Sequence, residues 1–520
     1  MRYFNIAGPC NKTEHYMIEA SSRLSGVETL IDMKQYFVIH AARQSGKTTY
    51  LRDLAGRLNA SDKYYALYCS LESSRGITSP EKVIPAVIRA IKLALKYSNF
   101  PLTDKFAEKA DYNDYNIVLR ESLTDYCILL DKPLVILFDE ADCLSEGGLL
   151  SFLRQLRDGY VSRSDIPFVH SIALVGMRSV RDYKARSRDG GDTLGSASPF
   201  NIVAKSLTLR DFTIDEIRGL YRQHTDETGQ IFEENAIKLV YSQTRGQPWL
   251  VNAVAREVTM EETPPADRPK PIITAQLIED GIQAIILRRD THIDSLLERL
   301  RERRVRKIIE PIIMGGYVED RLSDDFQYVK DLGLISDENE RLGPANPIYA
   351  EVITRALTYT AQRTLTEDNG ARQLPQYMRD GRIDMDYLMR DFQQFWRENS
   401  DIWLKRFDYD EAAPHLILMA FLQRVINGGG QIIREMAAGR GRLDLCVVYE
   451  GQKYPIELKL WRGEKSRALG IEQTLRYMDV CGAAEGWLAI FDRDPGASWD
   501  EKIYLAKETA QGKTVTIVGL

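Results

Sequence analysis

The chain has 520 residues, too long for one hydrophobic core and enough for roughly three or four domains. Hydrophobic residues make up 44%, with 16 Phe, 26 Tyr and 6 Trp to fill cores, which excludes a wholly disordered chain; 35 Gly and 19 Pro exclude a collagen-like or low-complexity one. The 69 basic and 75 acidic residues leave a net charge of −6, so blanket attraction to nucleic acid is excluded and any such contact must come from a local basic patch. Cys10, Cys69, Cys127, Cys143, Cys446 and Cys481 share no close spacing and the six His are scattered, so neither a zinc site nor a disulfide framework is indicated. The first residues show no basic segment followed by an apolar run, and the most apolar strip, Tyr126 to Phe138, is broken by Asp131, Lys132 and Pro133. The expectation is a soluble, cytoplasmic protein with no membrane partner.

Short apolar runs alternate with helical patterns through the first 212 residues. Strands are expected at Gln35–His40, Tyr64–Leu71, Pro133–Asp139, Phe168–Gly176 and Ser206–Phe212, with amphipathic helices such as Thr48–Leu58 and Pro80–Tyr97 between them. Strands separated by helices argue a parallel sheet with crossover connections, an α/β core over 1–212. Residues 185–199, rich in Gly, Ser and Asp, read as a loop. A helical stretch over 213–260 is followed by a linker at 261–275, a smaller helical unit at 276–358 and a second linker at 359–376. The last segment, 377–520, opens with helices and turns to period-two strands. No internal repeat is visible.

The strand at Gln35–His40 runs into AARQSGKTT and then a helix. Ala41, four intervening residues and Gly46-Lys47-Thr48 form a Walker A loop with Ala where the first Gly usually stands. Backbone N–H groups along Ala41, Gln44, Ser45, Gly46 and Thr49 suit phosphate oxygens, Lys47 adds a cation, and the Thr48 hydroxyl suits magnesium. The second half of such a site is LVILFDEAD, an apolar strand ending in Asp139 and Glu140, the Walker B form. A buried parallel strand delivers its acids at its C-terminal edge, where Asp139 would hold magnesium and Glu140 would position the attacking water. An apolar strand that merely ends at two solvated acids is the plain alternative. It does not account for the Gly-Lys-Thr triplet. Glu140 beside Asp139, with a strand between the two motifs, resembles the additional-strand branch of P-loop ATPases. Arg178, just past ALVGM, could sense the γ-phosphate or be a solvated strand-end residue. Gly246 and Pro248 in TRGQPWLVNA resemble the GxP motif of signal-transduction (STAND) ATPases and their archaeal relatives, where the Pro approaches the nucleotide; a helix breaker is the alternative.

In GRLDLCVVYEGQKYPIELKLW, Leu443, Leu445 and Val447 alternate with Asp444 and Cys446, and Ile456, Leu458 and Leu460 with Glu457 and Lys459. A turn at Glu450-Gly451 would set Tyr449 against Gln452 and Asp444 against Glu457. Opposed residues bring their Cβ atoms to ~5 Å, so the two carboxylates could share one divalent cation, with Lys459 on the same face. An exposed outer sheet face decorated by Glu and Lys is the cheap alternative. Glu435 precedes the hairpin, and Gln473 and Tyr477 share one face of the following helix.

With these residues in view, the C-terminal part resembles the PD-(D/E)XK nuclease superfamily, and Gln473 with Tyr477 resembles the helix motif of its RecB-like branch. The N-terminal part, FNIAGP…HYMIEASSRL through AARQSGKTT, resembles bacterial AAA-like-domain ATPases. The resemblance implies a P-loop ATPase core with helices on both faces of a parallel sheet, a helical lid, a winged-helix-like domain and a C-terminal nuclease fold. It implies ATP and magnesium (or manganese) as cofactors and DNA as partner. Asp444, Glu457 and Lys459 would carry phosphodiester hydrolysis and Glu140 ATP hydrolysis, in DNA processing or bacterial defence.

In the small helical unit, Arg299, Arg301, Arg303, Arg304, Arg306 and Lys307 crowd one predicted helix. DNA-backbone contact is one reading; Glu–Arg pairing through Glu298 and Glu302 is the other. The competing class for the whole chain is a nucleotide-gated regulatory protein whose C-terminal domain binds DNA or a partner without cutting. A homo-oligomer and a protein or foreign-DNA trigger are compatible with either.

Overall fold

The computed structural model describes residues 2–176, 202–260, 271–288, 291–313, 318, 320–337, 342–368, 374–404, 413–426, 430–438, 441–492, 494, 496–510 and 512–520. The chain forms two compact units: residues 1–296 with 321–336 and 345–348, and residues 297–320, 337–344 and 349–520.

In the first unit α1 (Val27–Asp32), β1 (Tyr36–His40), α2 (Lys47–Ala60), β2 (Tyr65–Ser70), α3 (Pro80–Tyr97), α4 (Val118–Leu129), β3 (Leu134–Asp139), α5 (Glu146–Ser162), β4 (Ser171–Gly176) and β5 (Val203–Thr208) alternate as the hydrophobic pattern predicts. The five strands are parallel in the order β2-β3-β4-β1-β5. β3 and β4 are buried along their whole length, as strands covered on both faces must be. Tyr36, Val38, Ile136 and Phe138 pack on one face with α3, α4 and α5, while Phe37, Ile39, Val135 and Leu137 pack on the other with α1 and α2. Helices on both faces are thus set by the alternation of side chains along each strand.

Two strand expectations shift. The fourth strand begins at Ser171 rather than Phe168. The fifth runs Val203–Thr208 rather than Ser206–Phe212, because Phe212 leaves the sheet and donates its backbone N–H to the Gly246 carbonyl at 2.9 Å. There follow α6 (Ile214–Thr228), α7 (Glu234–Thr244), α8 (Pro248–Met260), α9 (Ala275–Arg288) and α10 (Thr291–Arg299). α6 opens on a capping box in which the Thr213 side chain and Glu216 satisfy each other's backbone N–H groups.

The chain continues through α11 (Arg303–Ile313), α12 (Asp324–Asp331), β6 (Ile335–Ser336), β7 (Gly343–Pro344) and α13 (Pro347–Asp368). α13 therefore occupies the first part of the stretch expected as a linker from 359. In the second unit come β8 (Met378–Arg379), β9 (Arg382–Ile383), α14 (Met385–Leu404), α15 (Ala413–Ile426), β10 (Gly430–Ala438), β11 (Gly441–Tyr449), β12 (Gln452–Leu460), α16 (Glu464–Cys481), β13 (Glu485–Phe491), α17 (Trp499–Lys502), β14 (Leu505–Ala510) and β15 (Lys513–Gly519). Its sheet has the order β10-β11-β12-β13-β15-β14, antiparallel through β12 and parallel from β12 to β13 to β15. Leu445, Val447, Ile456, Leu458 and Trp487 face α14 and α15, whereas Leu488, Ile490, Val515 and Ile517 pack with Met478 of α16 on the opposite face. No helix among the described residues is long and apolar enough to cross a membrane.

Candidate nucleotide site and carboxylate hairpin

The loop between β1 and α2 is built by its backbone. Gln44 has φ 56° and Gly46 φ 86°, so the chain changes hand twice within a few residues and turns its N–H groups toward one side, a concavity suited to an anion. Ala41 does not take a positive φ, so a Cβ at the position where the motif usually has Gly meets no backbone strain. Ser45 is 2% exposed and Thr49 accepts the Cys10 N–H at 3.0 Å, which ties the N-terminal segment to the first turn of α2. Lys47 folds over the loop and donates to the Ala41 and Ala42 carbonyls, each at 2.8 Å. Burial holds its ammonium below the usual lysine range against the raising pull of Glu140, Asp139 and Asp142.

The two halves of the site meet. Thr48 Oγ1 donates to Asp139 Oδ2 at 2.7 Å, the Tyr68 hydroxyl donates to the same oxygen at 3.1 Å, and the Glu140 N–H reaches Oδ1 at 3.0 Å. In the sheet β4 stands between β1 and β3, so loop and acids emerge at the same C-terminal edge. A hydroxyl and a carboxylate are hard oxygen donors, the chemistry that magnesium selects, so Thr48 and Asp139 fit that cation. Glu140 sits at φ 57° beyond the strand end. Burial, then the charges of Asp142 and Asp139, raise its carboxyl above the ordinary glutamate range, and Arg75 lies 3.4 Å from its Oε2.

Gly246 has a specific reason to be glycine: φ is 81°, and a Cβ there would stand 1.9 Å from the Phe212 carbonyl oxygen. Pro248 opens α8, where a missing N–H costs nothing. The next residue, Trp249, donates its indole N–H to the Ile6 carbonyl at 2.9 Å, so residues 6–10 link the start of α8 to the start of α2. Arg178 lies outside the described residues. Motif reading missed several residues around the loop. Arg43 donates to Ser295 at 2.7 Å, and Gly333 approaches Ala42 so closely that a Cβ would come within 2.3 Å of it. Arg23, 6% exposed, stacks on Phe212 and donates to the Arg210 carbonyl from Nε at 2.9 Å. None carries a sequence signal, because each comes from a different element.

In the second unit Glu450 and Gly451 both have positive φ, 47° and 78°, the backbone of a tight hairpin turn. Tyr449 pairs with Gln452 and the ladder runs on to Leu445 with Ile456, the expected register over these five pairs. Across the other edge of β11, the pairs Arg434–Leu445 and Met436–Leu443 bring positions 435 and 444 alongside each other. The side chains of Glu435 and Asp444 lie outside the described set. Glu457 is 1% exposed, and Lys459 Nζ stands 2.5 Å from its Oε1. This corrects the cheap alternative: the Glu457 position is an enclosed face, not a solvated one. α16 covers it. A Cβ on Gly470 would come within 3.3 Å of Lys459 Cγ, Tyr477 is buried against Cys446, and Gln473 Oε1 is enclosed without a hydrogen-bond partner among the described residues. Among the described residues no group of three His, Cys, Asp or Glu is placed to hold a metal.

Three of the six basic residues of the arginine run form internal pairs. Arg299 and Arg304 reach Glu302 at 2.8 and 2.9 Å, and Arg306 reaches Glu310 at 2.6 Å.

No curated protein matches the chain. Among solved structures it is similar to a Walker-type ATPase of Pyrococcus abyssi, at 15% identity over 67% of this chain and 99% of that one, TM-score 0.47. It is also similar to the RuvB Holliday junction branch migration motor of Thermotoga maritima (14% identity, 61% and 88% covered, TM-score 0.33) and to Aeropyrum pernix ORC1 in complex with DNA (13%, 64% and 88%, TM-score 0.32). Residues 31–183, from the end of α1 to just past β4, match the family model described as an AAA domain.

Proposed function

We propose that the protein binds and hydrolyses ATP in its first unit and cleaves DNA in its second, with magnesium or manganese at both sites. The observation that carries the ATPase half is the Thr48–Asp139 hydrogen bond, which joins loop and acid at one sheet edge within the matched domain. Backbone N–H groups of the loop and Lys47 bind the β- and γ-phosphates, Lys47 exchanging its carbonyl partners for phosphate oxygens. Thr48 and Asp139 would hold a divalent cation, which when bound would supply charge neutralisation at those phosphates. Glu140, with its carboxyl raised by burial, orients the attacking water. Glu140→Gln should retain ATP and lose turnover.

The nuclease half is supported by the hairpin register and by an enclosed Glu457 with Lys459 beside it. Asp444 and Glu457 would hold the cation, Lys459 would stabilise charge on the phosphate under attack, and Glu435, Gln473 and Tyr477 would support them. Residues 276–358 would serve as a winged-helix-like adaptor. Such a pairing suits DNA processing or defence against foreign DNA. The test is loss of plasmid DNA with magnesium or manganese, with and without ATP, using wild type, Glu140→Gln and Glu457→Gln. Cleavage that survives Glu457→Gln, or none in wild type under any nucleotide state, would overturn the nuclease reading in favour of a nucleotide-gated binder.

A further inference from the structure

Of the three donors on Asp139, two come from the motifs themselves and one does not. Tyr68 is on β2, whose neighbour in the sheet is β3, and it pairs in register with Leu137, two residues before the acid. Neighbours in register share a face, so the Tyr68 side chain reaches one step along that face to Asp139 Oδ2, 3.1 Å away. That is the face covered by α2, which brings in Thr48 at its first turn and, four residues on, Arg52. The Arg52 guanidinium lies 5.1 Å from the centre of the Tyr68 ring.

Asp139 is 2% exposed, and a buried carboxylate with one anchor would be free to rotate about its last bond. Here Thr48 and Tyr68 fix Oδ2 and the Glu140 N–H fixes Oδ1. A cation that draws on a Thr48 lone pair leaves the threonine O–H free to stay on Asp139, so Oδ2 keeps two side-chain donors, and Tyr68 is the one of them that is not itself a ligand. We propose that Tyr68 is a positioning residue for the divalent cation of the nucleotide site, holding the Asp139 carboxylate in its cation-accepting orientation while Arg52 holds the ring. The inference rests on the nucleotide-site reading and deepens it. Residues that orient a metal-binding carboxylate are worth about 10–100-fold in metal affinity.

The experiment uses the full chain, wild type and Tyr68→Phe. Manganese binding in the presence of ADP is measured by electron paramagnetic resonance, and the affinity for a fluorescent ADP is measured in EDTA. Tyr68→Phe should weaken manganese binding about 10-fold or more while leaving metal-free ADP affinity unchanged. Arg52→Met, which keeps the hydroxyl, should weaken it by less and guards against a folding defect in the first variant. Equal manganese affinity in wild type and Tyr68→Phe overturns the inference, as does a loss of ADP affinity of the same size with and without metal. Failure of the wild-type chain to bind ADP at all overturns the nucleotide-site reading instead.

Discussion

The two units hold their acids in opposite ways. In the first, Asp139 and Glu140 stand at the end of a parallel strand, and the donors come from elsewhere: Thr48 from a helix start, Tyr68 from the neighbouring strand. In the second, Glu457 lies within a strand of an antiparallel hairpin, and its cation Lys459 comes from the same strand, two residues on, beneath α16. A strand end can be approached along the sheet edge. A carboxylate on a sheet face can be reached only where the covering helix allows. The contrast teaches that a strand-edge site is assembled by topology and a strand-face site by register, so damage to each should stay local.

The largest effect expected is at Lys47. Lys47→Ala removes a buried charged donor worth about 3 kcal/mol, so nucleotide affinity in a fluorescence titration should fall ~100-fold, with the melting of the second unit unmoved. Glu457→Gln should make the converse cut: metal-dependent DNA cleavage falls to background while ATP turnover per protein is retained. If either substitution abolishes both activities, the two sites are not separately built and the comparison breaks.

Gly246→Ala sharpens it on the stability side. The added methyl meets the Phe212 carbonyl and sits at a φ that alanine resists, strain and overpacking of about 1–3 kcal/mol each. Calorimetry should show the first unit melting earlier and the second unchanged. The smallest effect is on pH. Hydrogen bonding from Arg210 lowers the Glu216 carboxyl to about 2. In the second unit burial would raise Asp386, yet hydrogen bonds from Lys507, Trp487 and Thr516 hold it below its ordinary value. A lowered folded pKa means stabilisation that is full above the ordinary carboxyl range and is lost as pH falls through it toward the folded value. Acid titration of melting should therefore show a falling limb in each unit, with Glu216→Gln flattening the first and Asp386→Asn the second.

Much of this was legible in the chain because it is local. The loop and its helix follow from Gly46-Lys47-Thr48, α3 falls on the expected Pro80–Tyr97, and the hairpin register follows from alternation about Glu450-Gly451. α13 was not, since the stretch after Thr358 is polar and threonine-containing, while the start of the helix is set by buried Ile348, Tyr349, Val352 and Ile353. Tyr68, Arg43 and Arg75 were not either. Their roles exist only once β2 lies beside β3 and the loop lies beside α10, and no spacing in the chain encodes those adjacencies.

The place of β1 in the sheet has a consequence for synthesis. Its partners are β4 and β5, Phe37 pairing with Ala173 and with Lys205, so the strand that launches the phosphate loop has no neighbour until far more chain has been made. At roughly 5–20 residues per second, the ribosome leaves that strand waiting on the order of ten seconds. Both edges of β1 therefore stay unpaired until residues 171–176 and 203–208 have been made, and the loop that follows it gains its place in a closed sheet only then.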